Sequence, residues 1–231
     1  TGARIVGDKA MPCWIAVHRE SWSSVLRVAA VMRAPVASGA AEDQSAASRS
    51  QASMQDPRLT EQRNPASRSI DQLDALGIVD LINSEDVQVA QAVGLEREAI
   101  AQALEFAEEA FRQGGRLIYV GAGTSGRLGV LDAAEIPPTY GTDPQMVRGV
   151  IAGGYEALVT AQEGAEDEPS DGAAAMDHLG VDSHDFVLGI AASGTTPYVL
   201  GAVARAGELG ARTGLLMCTR PPNDLSGALD V

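Results

Sequence analysis

The chain has 231 residues and a formal net charge of −14, so nucleic acid is disfavoured as a partner, because phosphate backbones select an excess of Lys and Arg. Hydrophobic residues make up 45% of the chain, enough for one sizeable α/β domain with extensions. Two cysteines, Cys13 and Cys218, and three histidines without ligand spacing favour a cytoplasmic protein that binds no metal.

The first 55 residues are interpreted as an extension that is disordered or foreign to the following domain. Small polar residues dominate 38–54, a composition typical of a disordered linker. The apolar piece at 25–36 contains Arg27 and Arg33 and is too short and too charged to cross a membrane.

An N-terminal helical segment is predicted over residues 56–113. Apolar residues recur at helical spacing in 70–83 and again in 85–112, which predicts two helices. The residues that set this spacing are Leu73, Leu76, Val79, Ile82, Val89, Val93, Ile100, Leu104 and Ala107.

From residue 114 to 231 strand and helix patterns alternate, which predicts a doubly wound parallel α/β sheet. Strands are expected near 116–121, 146–152, 185–192 and 213–218, with helices near 126–134, 154–163, 170–179 and 197–209. A flavodoxin-like strand order, 2-1-3-4, would place the ligand crevice between the first and third strands. A fifth strand is expected to begin near Asp230-Val231.

A glycine-rich turn with hydroxyl side chains follows the first strand, and its sequence is Gly121-Ala-Gly-Thr-Ser-Gly-Arg127. Backbone N–H groups, hydroxyls and a helix N-terminus together are suited to hold a phosphate. A Walker loop is disfavoured because the only lysine is Lys9. A dinucleotide site is also disfavoured, because the next strand runs into Gly153-Gly154 instead of an acidic residue. A purely structural turn remains an alternative.

A second hydroxyl-rich turn, Ser193-Gly-Thr-Thr196, follows the third strand. In a parallel sheet the turns after the strands lie at one edge. We therefore expect both turns to converge on one phosphate.

These motifs together resemble the N-acetylmuramic acid 6-phosphate etherase family, which has the sugar isomerase (SIS) fold. The resemblance covers roughly residues 56–231 and rests on Leu59–Ser67, Gly115–Thr139, Ile151–Gly154, Glu163–Asp167 and Ala191–Tyr198. It implies a phosphosugar lyase that releases D-lactate by elimination and water addition, without a cofactor, in a homodimer whose site lies near the subunit interface.

The resemblance also implies site residues. Glu135 and Glu166 are the implied catalytic carboxylates, with the acid and the base not assigned between them. The implied phosphate and sugar contacts are Gly123, Thr124, Ser125, Gly126, Arg127, Ser193, Gly194, Thr195 and Thr196. Without the family, Glu166 lies in an acidic run typical of a solvated face. Tyr119 and Tyr198 are interpreted as packing residues.

Three positions depart from the family pattern: Thr195 replaces an arginine, Thr219 an asparagine and Ile136 a cysteine. The alternatives are a non-catalytic phosphosugar-binding module that resembles glucokinase regulatory protein, and a sugar-phosphate isomerase. The family continues beyond Val231, so we expect a C-terminally truncated domain that is inactive by itself. A helix running straight from residue 126 would place Glu135 ~13 Å from the phosphate. Either this helix is short and bends back, or Glu135 serves a site shared with a second subunit.

Overall fold

A computed structural model of the chain describes residues 59–219 and 229–231, which fall into two compact units. One unit is Asn64–Gln91; the other comprises the described residues of Met54–Arg63 and Ala92–Val231. The extension interpreted at residues 1–55 lies outside the described residues. The domain boundary at residues 113 and 114 stays a prediction. Within the described part, no helix combines the length and apolarity needed to span a bilayer.

The break between the two N-terminal helices lies further along the chain than predicted. Short 3₁₀ turns at Leu59–Glu61, Pro65–Ser67 and Ile70–Gln72 precede helix α1 (Ala75–Leu95) and helix α2 (Arg97–Arg112). The expected break near Ser84 is wrong, because its hydroxyl donates to the Leu81 carbonyl at 2.7 Å and the residue stays in α1. The break occurs at Glu96, where φ −95° and ψ 15° depart from helical geometry.

Four parallel strands form the sheet, β1 (Leu117–Gly121), β2 (Val147–Ile151), β3 (Phe186–Ile190) and β4 (Arg212–Leu216). Their order is β2-β1-β3-β4, which confirms the predicted doubly wound, flavodoxin-like arrangement. Val231 lies beside β4 in a parallel ladder, since it donates its N–H to Thr213 and accepts from the Leu215 N–H. The sheet of the described residues nevertheless has four strands, and the expected fifth strand stays a prediction.

Helix α3 (Gly123–Tyr140) is longer than the predicted 126–134 and passes through Pro137 and Pro138. It ends at Gly141, whose left-handed φ of 67° allows its N–H to donate to the Pro137 carbonyl. The two prolines remove N–H donors only in the last turns, and the buried Ile136 packs that end of the helix onto the domain.

Three further helices complete the larger unit: α4 (Glu156–Val159), α5 (Pro169–Leu179) and α6 (Pro197–Glu208). The core lies between the central strands and α6, where apolar side chains are almost fully buried. Its largest members include Ile118, Val120, Met176, Val187 and Val199.

An ion pair joins the amino ends of β1 and β3. Asp185, with 2% of its surface exposed, accepts hydrogen bonds from the Arg116 backbone N–H at 2.8 Å and from its guanidinium at 3.0 and 2.5 Å. Hydrogen bonding to Asp185 raises the pKa of Arg116. Because both carboxylate oxygens are used, the pair holds the two strands in register at the edge opposite the glycine-rich turn.

Helices α5 and α6 cross at two positions that have no Cβ atom. A Cβ on Gly172 would lie 1.9 Å from the Tyr198 carbonyl oxygen, and one on Gly201 would lie 2.0 Å from the Pro169 carbonyl oxygen. Neither contact can be relieved by moving a side chain, since both neighbours are backbone atoms. The two helices therefore pack backbone against backbone.

Gly201→Ala should lower the free energy of unfolding by about 2 kcal/mol or more, because the new methyl group forces α5 and α6 apart. Gly207→Ala on the same helix is the matched control, since its Cβ would meet nothing nearer than 3.9 Å. That variant should be unchanged or more stable by up to about 1 kcal/mol, from helix propensity alone. Urea unfolding of both variants checks this, and equal stabilities would contradict the backbone contact.

Candidate functional site

The two hydroxyl-rich turns follow neighbouring parallel strands, β1 and β3, and leave the sheet at the same edge. Strand order reverses between these two strands, because the connection from β1 leads to β2 on its other side. Open α/β sheets bind ligands in the crevice at such a reversal. The expected common edge is confirmed, and convergence on one phosphate stays a prediction.

The first turn is compressed against the sheet. A Cβ on Gly121 would lie 2.6 Å from the Gly126 nitrogen, and a Cβ on Gly126 would lie 2.6 Å from Ile151 Cγ1. Helix α3 begins at Gly123, so Thr124 and Ser125 belong to its first turn rather than to a loop before it. The first N–H groups of a helix have no intrahelical acceptor, and those of α3 lie where β1 ends, next to the hydroxyl-bearing Thr124 and Ser125.

Arg127 lies one turn into α3 and is half-buried. Helical side chains tilt toward the helix N-terminus, which directs this guanidinium toward the turn. Its Nε donates to the Leu158 carbonyl of α4 at 3.1 Å. The residue therefore links the first turn to the connection that follows β2.

The second turn has an internal hydroxyl pair. The Ser193 and Thr195 hydroxyl oxygens lie 2.9 Å apart, and the Thr195 N–H donates to Ser193 Oγ at 3.3 Å. Gly194 has a left-handed φ of 70°. Thr196 is the N-cap of α6. This turn offers hydroxyls and a helix N-terminus, but no cationic side chain.

Glu166 lies beside the second turn. Its carbonyl accepts the Tyr198 N–H at 3.0 Å, and the backbone contacts of Gly172 and Gly201 hold α5 on the first turns of α6. The Glu166 side chain is exposed. The backbone of Glu166, one of the two predicted carboxylates, therefore lies at the sheet edge that carries both turns.

Glu135 is not beside the first turn. It lies eleven residues after Thr124 in the same helix, which corresponds to about 16 Å along the axis. The alternative of a short α3 that bends back is wrong, because the helix continues to Tyr140. Thr124, Leu131 and Glu135 share one exposed face of α3 at spacings of i, i+7 and i+11.

A tyrosine–aspartate pair under α3 was not predicted. Tyr119 of β1 hydrogen bonds to the buried Asp132 of α3. Desolvation, followed by the charge of Asp132 and this hydrogen bond, raises the pKa of Tyr119 well above its ordinary value near 10. Burial and the charge of Asp171 also raise the pKa of Tyr198. A strand tyrosine two residues before a glycine-rich turn gives no sequence signal for such a partner.

A metal-ligand cluster and a cavity are two further kinds of site that the described residues could form. No cluster of three or more His, Cys, Asp or Glu that could hold a metal ion occurs among them. A cavity of about 270 Å³ lies at the amino edge of the sheet and is lined by residues such as Phe106, Asp185 and Arg212. It adjoins the strand starts, so it is separate from the turns at the strand ends.

Tyr119→Phe should lower the free energy of unfolding at pH 8 by roughly 1–3 kcal/mol through loss of the hydrogen bond to Asp132. The Tyr119 pKa is raised in the folded state, so its contribution is complete below pH 10 and is lost as pH rises toward the folded pKa. The difference between wild type and variant should therefore narrow above about pH 10. Urea unfolding from pH 8 to 11 measures it, with the exposed Tyr155→Phe as control. A difference in unfolding free energy that does not change with pH would contradict the Tyr119–Asp132 hydrogen bond.

Comparison with known proteins agrees with this geometry. The model of the glucokinase regulatory protein N-terminal SIS domain matches residues 98–206. The N-acetylmuramic acid 6-phosphate etherase of Rippkaea orientalis is 54% identical over 160 residues, covering 69% of this chain and 52% of the relative. The protein of the same name from Photorhabdus laumondii is 52% identical over 173 residues, covering 75% and 57% respectively.

A solved phosphoheptose isomerase from Neisseria gonorrhoeae superposes with a TM-score of 0.54 at 21% identity, covering 68% of this chain and 82% of that chain. This likeness shows the fold alone. The chain spans about half the length of the curated relatives it matches. Over the part that aligns, the chain belongs to the N-acetylmuramic acid 6-phosphate etherase family and has the SIS fold.

Proposed function

We propose that the chain is the phosphosugar-binding part of a cytoplasmic lyase that cleaves the D-lactyl ether of N-acetylmuramic acid 6-phosphate. The products are N-acetylglucosamine 6-phosphate and D-lactate. One observation carries the proposal: two hydroxyl-rich turns meet at the strand-order reversal, in a chain 54% identical over 160 residues to an etherase. Phosphate would be held by the N–H groups of the first turn of α3, the hydroxyls of both turns and Arg127.

The net charge of −14 makes a local source of positive potential necessary. An anionic sugar would otherwise be repelled by the protein as a whole. The N-terminus of α3 and Arg127 provide that potential, since the second turn has hydroxyls only. Because residue 195 is a threonine, Arg127 is the one arginine that the two turns contain.

The reaction requires one base and one acid. In the open-chain sugar the aldehyde acidifies the hydrogen on the second carbon, so a carboxylate can remove it. The bond between the third carbon and the ether oxygen then breaks as a carbon–carbon double bond forms, and a carboxylic acid protonates the departing lactate oxygen. Water adds back, its hydroxyl to the third carbon and its proton to the second. Glu135 and Glu166 are proposed for these roles, and neither step requires a cofactor.

Geometry favours a site shared between two copies. Glu135 is about 16 Å along α3 from Thr124, a distance too long for one sugar phosphate to bridge comfortably. Leu131 lies between them on the same face and is 49% exposed. We propose that a second copy covers this face in a homodimer, so that Glu135 acts on a sugar held by the other copy's turns.

Two other functions are distinguished by their products. A non-catalytic phosphosugar-binding module would bind the same ligands without releasing lactate. An isomerase would move the carbonyl group and leave the ether intact. The exposed Glu135 and Glu166 favour the lyase, because a binding module needs no pair of proton-transfer groups.

Glu135→Gln should retain N-acetylmuramic acid 6-phosphate binding and lower lactate release by at least about a hundredfold, because an amide cannot exchange the proton. The variant and its control are made in the full-length protein, where calorimetry measures the affinity and an enzymatic lactate assay measures the rate. Glu105→Gln, an exposed position on α2, is the matched control and should be fully active. Undiminished turnover in Glu135→Gln would remove this residue from the mechanism.

Mixing two inactive variants tests the shared site. Thr124→Asp should fold, because Asp is favoured in the first turn of a helix, but its charge should repel phosphate. Mixed with Glu135→Gln under conditions of subunit exchange, it should restore about a quarter of wild-type lactate release, since half the dimers contain one intact site. No recovery in demonstrably mixed dimers would place both groups of a site within one chain.

A further inference from the structure

The connection between β2 and α5 is tied to the phosphate turn by Arg127. We infer that Arg127 is a positioning residue that couples phosphate binding to the placement of the strap, defined as residues 153–164, which leads into Glu166. This inference rests on the proposed function. It adds that occupancy of the phosphate turn orders the segment that carries the second carboxylate.

Arginine has enough donors to serve both partners. A guanidinium has five N–H groups in one plane, and here Nε is directed to the Leu158 carbonyl at 3.1 Å. No other hydrogen bond of Arg127 occurs among the residues that the structure describes. Its two terminal nitrogens can therefore bind a phosphate in the fork geometry while Nε remains on the strap.

The strap is built to move as a unit. Gly153, Gly154 and Gly164 have left-handed φ angles of 80°, 67° and 76°, so turns accessible chiefly to glycine flank both ends of the segment. Between them lies α4, a single helical turn of four residues. Tyr155 and Val159 are 79% and 74% exposed, while Ala157 is buried. Segments with few buried apolar contacts open at low free-energy cost.

The far end of the strap is connected to the second turn. Glu166 follows Gly164 by two residues, and its carbonyl accepts the Tyr198 N–H of α6 at 3.0 Å. The strap is thus held by Arg127 near its middle and by α6 just beyond its end. When phosphate immobilises the Arg127 guanidinium, the hydrogen bond to the Leu158 carbonyl becomes fixed. The position of the strap, and of Glu166 just after it, is then fixed as well.

Hydrogen–deuterium exchange of the 231-residue chain tests this coupling, with inorganic phosphate and then N-acetylmuramic acid 6-phosphate as probes. In the wild type, either probe should slow exchange several-fold at residues 122–126 and also at 153–164. Arg127→Lys retains the charge but cannot hold phosphate and the Leu158 carbonyl in one planar fork. This variant should therefore keep protection at 122–126 and lose it at 153–164. Arg112→Lys is the matched control, because Arg112 forms an exposed ion pair with Glu108 on α2. This variant should behave as wild type.

Kinetics provide a readout that simple destabilisation would not reproduce. In a full-length protein that carries Arg127→Lys, kcat for lactate release should fall about tenfold or more while KM rises less, because Glu166 is misplaced and phosphate binding is mostly kept. Wild-type protection confined to 122–126 would overturn the coupling and leave the phosphate site intact. Protection of the strap in Arg127→Lys equal to wild type would overturn the role of Arg127. No protection at 122–126 in the wild type would overturn the proposed phosphate site, and this inference with it.

Discussion

The close packing of α3 on the sheet is the constraint from which the rest of the site follows. Three glycines permit it: a Cβ on Gly126 would lie 2.6 Å from Ile151 Cγ1, one on Gly129 would lie 2.7 Å from Tyr119 Cβ, and one on Gly149 would lie 2.5 Å from Val130 Cα. Since the helix axis can approach β1 and β2 this closely, the first N–H groups of α3 are presented directly at the strand ends. The proposed phosphate would be bound there by backbone N–H groups before any side chain is required.

A second close backbone contact supports the other half of the site. Gly172 and Gly201 let α5 and α6 touch, and α6 in turn carries the hydroxyl turn at its N-terminus and holds the Glu166 carbonyl. At the opposite edge, the buried Arg116–Asp185 pair fixes the starts of β1 and β3. Rigid elements therefore define both turns, whereas the strap between β2 and α5 contains the exposed, glycine-flanked backbone. This arrangement suits the proposed site, in which the phosphate-binding groups are rigid and a mobile segment positions the proton-transfer group Glu166.

Residue patterns predicted the sheet because each strand is a short apolar run followed by a turn and a helical period. That pattern also fixed which turns share an edge, since right-handed crossovers leave parallel strands with their ends on one side. Helix boundaries were less accurate. The predicted break between residues 83 and 85 is absent, and the Ser84 hydroxyl there bonds back to the Leu81 carbonyl. The helix predicted near 126–134 continues to Tyr140, where Gly141 is the cap. Local propensity cannot weigh such competing contacts, since packing of residues such as Ile136 decides them.

The sequence by itself determined the parallel α/β fold and the two hydroxyl-rich turns, because these depend on local patterns and on motif order. The catalytic roles of Glu135 and Glu166 stay a prediction. Only the tertiary structure decided which groups meet. The Tyr119–Asp132 pair, the Arg127–Leu158 hydrogen bond and the Glu166–Tyr198 hydrogen bond join residues 13, 31 and 32 positions apart. The length of α3 also places Glu135 far along the helix from Thr124 and Ser125. Contacts of this kind depend on how helices pack against strands, and no periodicity along the chain encodes that packing.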